Sequence, residues 1–178
     1  LANMVDKLIV TNRAALRTKY GARGLVKVTA AVKALIAADR KRGLVTRLIA
    51  LDSAAMKRYG SAVTDASSAR QNKRAIDSLY RALRPHYLMI LGSIDVIPHQ
   101  DPKNPVYADD QEDDPVAWGD LPYACDVPYS RDITKFIGPT RVIGRLPDMT
   151  GARQPSHLLA CLKTAAAYQR RPLMHYLD

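Results

Sequence analysis

A short apolar run, Tyr87–Leu91, constrains the fold more than any other part of this chain. Five residues without a polar break are typical of a strand buried on both faces, as in a parallel sheet. Gly92 and Ser93 end the run, and Pro98 closes the turn that follows. Ligands of open α/β sheets bind beyond the carboxyl ends of the strands, so Gly92, Ser93 and Asp95 are expected at the rim of any site. Alternatively, Gly92 only allows a tight turn and Asp95 caps it.

Strand and helix patterns alternate along the rest of the chain. Strands that alternate with helices imply right-handed crossovers and a mostly parallel sheet. We therefore expect an α/β fold, a three-layer sandwich formed by residues 1–178 as a single domain that is incomplete in this chain. Asn12 is expected to cap the first helix, and Asp52 or Ser53 a short helix that ends at Tyr59. The other predicted elements are strands Lys7–Thr11, Arg47–Leu51 and Arg141–Arg145 and helices Arg13–Tyr20, Leu25–Arg42, Ala69–Leu83 and about 154–170.

Composition excludes several classes of protein. The hydrophobic content of 47% over 178 residues predicts a folded chain with a real core. No apolar run reaches the roughly 18 residues of a membrane helix, and the first residues lack the pattern of a signal peptide. The two cysteines have no metal-ligand spacing, which favours a reduced, cytoplasmic protein without a metal or other cofactor. A start at Leu1 rather than Met is consistent with a processed or trimmed piece of a longer chain.

The net charge of +10 is unevenly distributed. Residues 1–84 contain 18 basic and 5 acidic residues, whereas residues 85–178 contain 9 basic and 12 acidic residues. A basic half suggests a non-enzymatic module whose basic face binds nucleic acid or an acidic protein partner. The cations are also spread at helical spacing among alanines, as on a solvated helix face, and Lys73 belongs to this set. Both interpretations remain open from the sequence.

A long acidic loop is predicted over residues 99–119. Five of the six residues 109–114 are acidic. Loops of this length within a compact domain are usually functional or disordered. The spacing and the glycine of an EF-hand are missing, so no calcium site is assigned. A solvated loop and a site for a basic substrate side chain are the remaining interpretations.

Familiar catalytic motifs are absent. The chain has no phosphate-binding loop, no dinucleotide fingerprint and no Gly-x-Ser-x-Gly nucleophile. None of the four histidines has a cysteine or acidic partner at a motif spacing. Asp126 follows Cys125 directly and opposes formation of a thiolate there, while Cys161 lies among leucines and is interpreted as a small core residue. No catalytic residue is therefore assigned within the chain.

Several short motifs follow the Tyr87–Leu91 strand in a fixed order. They are Leu91-Gly-Ser93, Ile97-Pro98, Gly119-Asp120 with Tyr123, Val142-Ile-Gly-Arg-Leu-Pro147, and a helix with Lys163 and Tyr168. In this order and spacing, residues 76–169 resemble the front half of the caspase-fold cysteine peptidases of clan CD, and are most similar to the gingipain-like branch. Two positions depart from the family: Ser93 stands where Asp is usual, and Gly119 where Ser is usual.

The resemblance implies a hydrolase that cleaves peptide bonds of protein substrates through a Cys-His dyad. Every matched position precedes the dyad, so the chain is expected to be an amino-terminal fragment or subunit whose dyad lies beyond residue 178. Its partner would be the remaining half of the same precursor or another chain. We expect that interface to include the strand around residues 141–144 and the tail after Pro172, because an unpaired sheet edge favours association.

A binding cluster is predicted at the rim of the sheet. Both the motif order and the α/β topology place Asp95, Asp120, Tyr123 and Arg145 near the carboxyl ends of the central strands. The expected role is structural, with Arg145 paired with Asp120 and ordering the long loop. Direct contact with a substrate is the alternative.

Overall fold

The computed structural model describes residues 5–107 and 113–169. Four parallel strands form one sheet in the order β2-β1-β3-β4, with helices against it. The predicted α/β class is confirmed. The elements are β1 Lys7–Thr11, β2 Thr46–Ala50, β3 Tyr87–Leu91, β4 Val142–Leu146, α1 Arg13–Lys41, α2 Ala69–Leu83, α3 Leu121–Ala124 and α4 Ser156–Ala167, with 3₁₀ turns Ala54–Arg58 and Ile133–Lys135.

The helices cover the sheet on both faces. Successive residues Leu8, Ile9 and Val10 of β1 are all buried, which requires packing on both sides of that strand. The connections β1-α1-β2 and β2-α2-β3 cross the sheet in opposite directions, and right-handed crossovers therefore put α1 and α2 on opposite faces. Helix α4 packs against α1, and α3 contacts α2. The result is a three-layer sandwich, as predicted.

The predicted helix boundaries need two corrections. The break predicted at Gly21 between the two helices over residues 13–42 is confirmed: α1 is kinked there, and the Gly21 φ of 67° is readily adopted only by glycine. Gly24 was expected to lie between helices, but it is buried inside α1. The helix predicted at about 154–170 spans only Ser156–Ala167.

The predicted cap of α1 is wrong. The side-chain amide of Asn12 donates instead to Asn72 Oδ1 at 2.8 Å and to the Val96 carbonyl at 2.9 Å. The carboxylate of Asp52 accepts from the backbone amides of Arg13 and Ala14, at 3.0 and 2.6 Å. Strands β1 and β2 are parallel neighbours, so the residue after β2 lies beside the start of α1. Asp52 therefore caps α1 rather than the turn that follows it.

One cation that the sequence places on a solvated helix face is buried. Lys73 is 0% exposed, and its Nζ lies 2.6 Å from both carboxylate oxygens of Asp77. Arg141 donates to the same Asp77 at 2.9 Å, and both cations donate to the Cys125 carbonyl. The Arg141 guanidinium also stacks over the Tyr80 ring at 4.3 Å. This buried charge cluster ties α2 to the start of β4 and to the segment after α3.

Strand β4 is an edge of the sheet within the described residues. Val142 is 60% exposed, and Gly144 is also exposed. The tail after Pro172, the other part of the predicted interface, lies outside the described residues. Of the helices in 5–107 and 113–169, none combines the length and apolar character needed to cross a membrane.

The long loop folds back on itself at its base. Isolated antiparallel bridges join Gln100 to Gly119 and Lys103 to Val116. Asp113 and Asp114 are exposed, while Asp109, Asp110 and Glu112 lie outside the described residues. Across the described part of the chain, no group of three or more His, Cys, Asp or Glu side chains is arranged to hold a metal ion.

Candidate functional site

The strand order creates a crevice at one position of the sheet. Strand β1 lies between β2 and β3, so the connections leaving β1 and β3 diverge beyond their carboxyl ends. In open α/β sheets such switch points are where ligands bind. A cleft of about 610 Å³ lies here, which we call the switch-point cleft. Its lining includes Ala14, Thr18 and Lys19 of α1, Asp65 and Ser67, Ile94, Asp95 and Pro98, and Gly151–Arg153.

The start of α1 offers no free anion cradle to this cleft. Unpaired amides at a helix amino terminus commonly bind phosphate. Here the Asp52 carboxylate already accepts from Arg13 and Ala14. A phosphate group would have to displace the Asp52 carboxylate from these amides. The geometry therefore agrees with the absence of phosphate-binding motifs from the sequence.

Lys19 joins the two sides of the cleft. Its Nζ lies 2.8 Å from both Asp95 oxygens, 2.8 Å from the Met149 carbonyl and 3.1 Å from Asp148 Oδ2. The backbone amide of Gly151 also donates to Asp95. Asp95 therefore does not cap its own turn. It links the segment after β3, through the Lys19 ammonium, to the segment between β4 and α4.

The mouth of the cleft also carries the negative charge of Asp65. The Ser67 hydroxyl and the Ser67 amide both donate to this carboxylate, and these hydrogen bonds lower the pKa of Asp65 below its usual range. Asp65 is fully solvated, so it offers a charged group to a ligand without the free-energy cost of a buried charge.

Arg145 and Asp120 form the pair that the sequence analysis expects. Arg145 Nε and Nη2 donate to the two oxygens of Asp120 at 2.8 and 2.7 Å. Its Nη1 donates to the carbonyls of Gly92 and Ile97, both at 2.9 Å. A bidentate guanidinium–carboxylate pair of this kind fixes orientation as well as charge. Arg145 thus fastens the 92–98 turn after β3 to the end of the long loop.

Tyr123 also holds the same turn in place. Its ring is buried, and its hydroxyl donates to the Pro98 carbonyl at 2.9 Å. Desolvation raises the pKa of Tyr123 well above 10.0. Asp120, Tyr123 and Arg145 therefore lie together on one side of the 92–98 turn, whereas Asp95, which belongs to that turn, faces Lys19 and the switch-point cleft.

Gly92 is required by the shape of this turn. Its φ is 113°, a conformation that side chains rarely adopt, and a Cβ here would lie 2.8 Å from the Val96 Cβ. Ser93 stands where the family that the sequence resembles usually has Asp. Its hydroxyl lies 2.7 Å from that of Thr150. Gly92 and Ser93 thus both help to fix the shape of the turn that follows β3.

One cysteine–histidine contact was not expected from the sequence. Cys161 Sγ lies 3.5 Å from His157 Nε2 on α4, although the two residues form no catalytic or metal-binding motif. The i,i+4 spacing on a helix is the signal that could have revealed it. Cys125 is buried, with its thiol 3.3 Å from the Gly138 carbonyl, and has no access to a substrate.

Comparison with known proteins does not assign the chain to a family. No family model, curated protein or solved structure matches the chain. The interpretation of the site therefore depends on the contacts described above.

The pKa of Tyr123 gives a first testable prediction. The unfolded chain loses the Tyr123 proton near its ordinary pKa of 10.0, whereas the folded protein retains it. The raised folded-state pKa stabilises the fold at neutral pH, and that contribution is lost as the pH rises above 10.0. Tyr123→Phe should lower the free energy of unfolding by about 1 kcal/mol at pH 7, because the hydrogen bond to Pro98 is lost. Its stability should then fall less steeply than that of the wild type between pH 9.5 and 11.

Urea unfolding at pH 7, 9.5, 10.5 and 11 measures this difference. Tyr87→Phe is the matched control, because the Tyr87 side chain is 48% exposed. Burial lowers the pKa of Lys73, which changes stability in the opposite direction with pH, but all three proteins share that effect. Equal pH slopes for Tyr123→Phe and the wild type would contradict the prediction.

Proposed function

We propose that this chain is the amino-terminal part of a caspase-like cysteine endopeptidase. The dyad belongs to a segment beyond residue 178 in the same precursor. There a thiolate attacks the carbonyl carbon of the scissile peptide bond, and the histidine protonates the leaving amine. The present chain supplies the sheet, the switch-point cleft and a rigid rim, and no cofactor takes part.

One observation carries the proposal. The motifs on which the resemblance depends are separated in the sequence but joined by hydrogen bonds in the fold. Arg145 lies 53 residues from Gly92 and 25 residues from Asp120, and it bonds to both. Tyr123 contacts Pro98 of the same turn. Their convergence on one turn at the carboxyl edge of a parallel sheet is the feature that supports the resemblance.

The cysteines of the present chain fit a supporting role. Cys125 is inaccessible, and Cys161 lies on α4, whose residues do not line the switch-point cleft. Both thiols are free, as the reducing cytoplasm proposed for this protein requires.

The test uses the protein encoded by the full reading frame that contains this sequence. We expect a strand ending in His-Gly, and a later strand ending in Cys, after residue 178. A peptide-based thiol-reactive inhibitor should label that later cysteine, as located by mass spectrometry, and should abolish cleavage of a quenched-fluorescence peptide library. The Cys125→Ala/Cys161→Ala variant is the control and should retain cleavage and labelling. Labelling at Cys161, or a reading frame without the two motifs, would overturn the proposal.

The missing half should also cover the exposed edge. Within the described residues β4 pairs only with β3, and an unpaired edge is a template for association. Hydrogen exchange provides a second readout of the same proposal. The amides of Ile143 and Arg145, which point away from β3, should be more protected in the longer protein than in residues 1–178 alone. Equal exchange rates in the two proteins would show that the second segment does not pair with β4.

A further inference from the structure

Among the residues that the structure describes, the outward side of the α1/α4 layer is basic and carries no exposed carboxylate. We call this surface the basic face and define it by five exposed cations of α1 and one of α4. Asp39 is the one acid within α1, and it is fully buried against Lys7 and Arg42; α4 contains no acid. The cations of the basic face are Arg23, Lys27, Lys33, Arg40, Lys41 and Lys163.

Some cations elsewhere in the fold are neutralised, whereas others, such as Lys57, Arg58 and Arg74, are exposed. Lys19, Lys73, Arg141 and Arg145 each contact at least one carboxylate. Within residues 5–107 and 113–169, the six cations of the basic face take part in no ion pair at 4.0 Å or less. Their charge is therefore available to a partner, and it is concentrated on one of the two outer layers of the sandwich.

The spacing of these cations suits a phosphate backbone. At about 1.5 Å and 100° per residue, Arg23, Lys27 and Lys41 lie within about 40° of one another around α1 and span about 27 Å. Lys33 and Arg40 form a second row beside them. Exposed Ala30, Ala34 and Ala37 lie between the cations, and their small side chains allow close approach of a flat or ridged surface.

The face lacks the groups that other polyanion-binding surfaces use. Proteins that bind single-stranded nucleic acid stack bases on exposed aromatic rings. On α1 the exposed large apolar residue is Val26, while Tyr168 after α4 is 56% exposed and has the Arg42 guanidinium 5.9 Å from its ring centre. One such ring falls short of the successive stacking platforms on which single-stranded nucleic acid is bound. One exposed valine also falls short of the apolar face that an interfacial membrane helix buries.

We propose that the basic face binds the phosphate backbone of double-stranded nucleic acid without reading its sequence. Contacts are made by the Lys and Arg side chains alone, so binding is governed by counterion release and weakens steeply with salt. This surface is separate from the switch-point cleft, and the inference does not depend on the peptidase proposal.

The experiment measures the fluorescence anisotropy of a labelled 20-base-pair DNA duplex titrated with the protein at 50, 100 and 200 mM salt. We expect binding at 50 mM and a plot of log affinity against log salt with a slope of about −4, as for four to five phosphate contacts. Arg23→Gln/Lys27→Gln/Lys41→Gln should weaken binding at 100 mM by at least about tenfold and make the slope less steep by about 2 to 3. Glutamine retains the helix propensity of these positions.

The matched control is Lys57→Gln/Arg58→Gln/Arg74→Gln, which removes the same charge from exposed residues on other elements. It should change the affinity and the slope much less, and circular dichroism should find both variants folded. Equal losses for the two triple variants would mean that net charge alone is responsible, and would overturn the proposal. Absence of binding at 50 mM would do the same, as would tighter binding to single-stranded DNA, to anionic vesicles or to poly-glutamate competitor at equal salt.

Discussion

Replacement of Asp77 by asparagine should lower the free energy of unfolding by about 3–5 kcal/mol, enough to unfold much of a marginally stable domain. The substitution preserves the size of the side chain but removes the one carboxylate that contacts both Lys73 and Arg141. Lys73 is fully buried, so its ammonium would be left in the interior without a counter-charge. Asp126 would remain beside Arg141, but it is 38% exposed and does not contact Lys73.

The pH dependence of the variant provides a specific signature. Burial already lowers the pKa of Lys73, and Asp77 opposes that shift through attraction and hydrogen bonding. Without Asp77 the pKa should fall further, so that between the lowered value and 10.5 the unfolded chain binds more protons than the folded chain. Stability of the variant therefore rises with pH in this window. Its deficit relative to the wild type should be smaller at pH 9 than at pH 6.5.

Urea unfolding monitored by circular dichroism at these two pH values checks both statements. Asp126→Asn is the control, because it removes a carboxylate of the same cluster at the surface and should cost at most about 1 kcal/mol. A loss for Asp77→Asn no larger than that of the control, or a deficit that grows with pH, would show that the cluster is not stabilised by Asp77 as described.

The central strand was predictable because its signal is local. Tyr87–Leu91 is a continuous apolar run, and β3 has the predicted bounds. Helix α2 also has the predicted bounds, because its apolar residues repeat at helical spacing and Ser68 precedes it as a cap that accepts from Gln71. Strands β2 and β4 are displaced by one residue, since their apolar runs lack an equally sharp end.

The features that were missed depend on residues far apart in the sequence. Asp52 caps α1 from a position 38 residues beyond Ala14, and only the pairing of β1 with β2 brings them together. Lys73 has the spacing of a surface cation, and its burial depends on Arg141 and the Cys125 carbonyl. A pattern within one helix cannot distinguish a solvated lysine from one that a later segment covers.

The rim was partly predictable for a different reason. No local pattern pairs Arg145 with Asp120, but the order of the motifs and the parallel topology placed both at one edge of the sheet. The same reasoning placed Asp95 beside them, whereas the structure directs Asp95 towards Lys19. Topology thus indicates which end of a strand a residue occupies, while packing decides which neighbour it contacts.

Arg145→Met should destabilise the fold by about 2–3 kcal/mol and loosen the 92–98 turn. Methionine fills the volume of the arginine stem but supplies none of its four hydrogen bonds, which leaves the carbonyls of Gly92 and Ile97 and the Asp120 carboxylate without this donor. The estimate lies below that for a fully buried pair because Asp120 is 28% exposed and water can replace part of the lost contact.

Arg145→Lys separates charge from geometry. A lysine ammonium retains the charge opposite Asp120 but cannot make the bidentate pair while also reaching two carbonyls. The stability of the Arg145→Lys variant should therefore lie between those of the wild type and Arg145→Met.

Arg153→Met is the control, because Arg153 lines the cleft as an exposed side chain. The decisive measurement is hydrogen exchange at the amides of Val96 and Ile97, which both donate to the Ser93 carbonyl. Exchange there should accelerate in Arg145→Met, less in Arg145→Lys and not in the control. If Arg145→Lys matched the wild type in both stability and exchange, a positive charge at position 145 would be sufficient to stabilise the 92–98 turn. The bidentate geometry of the guanidinium would then make no contribution.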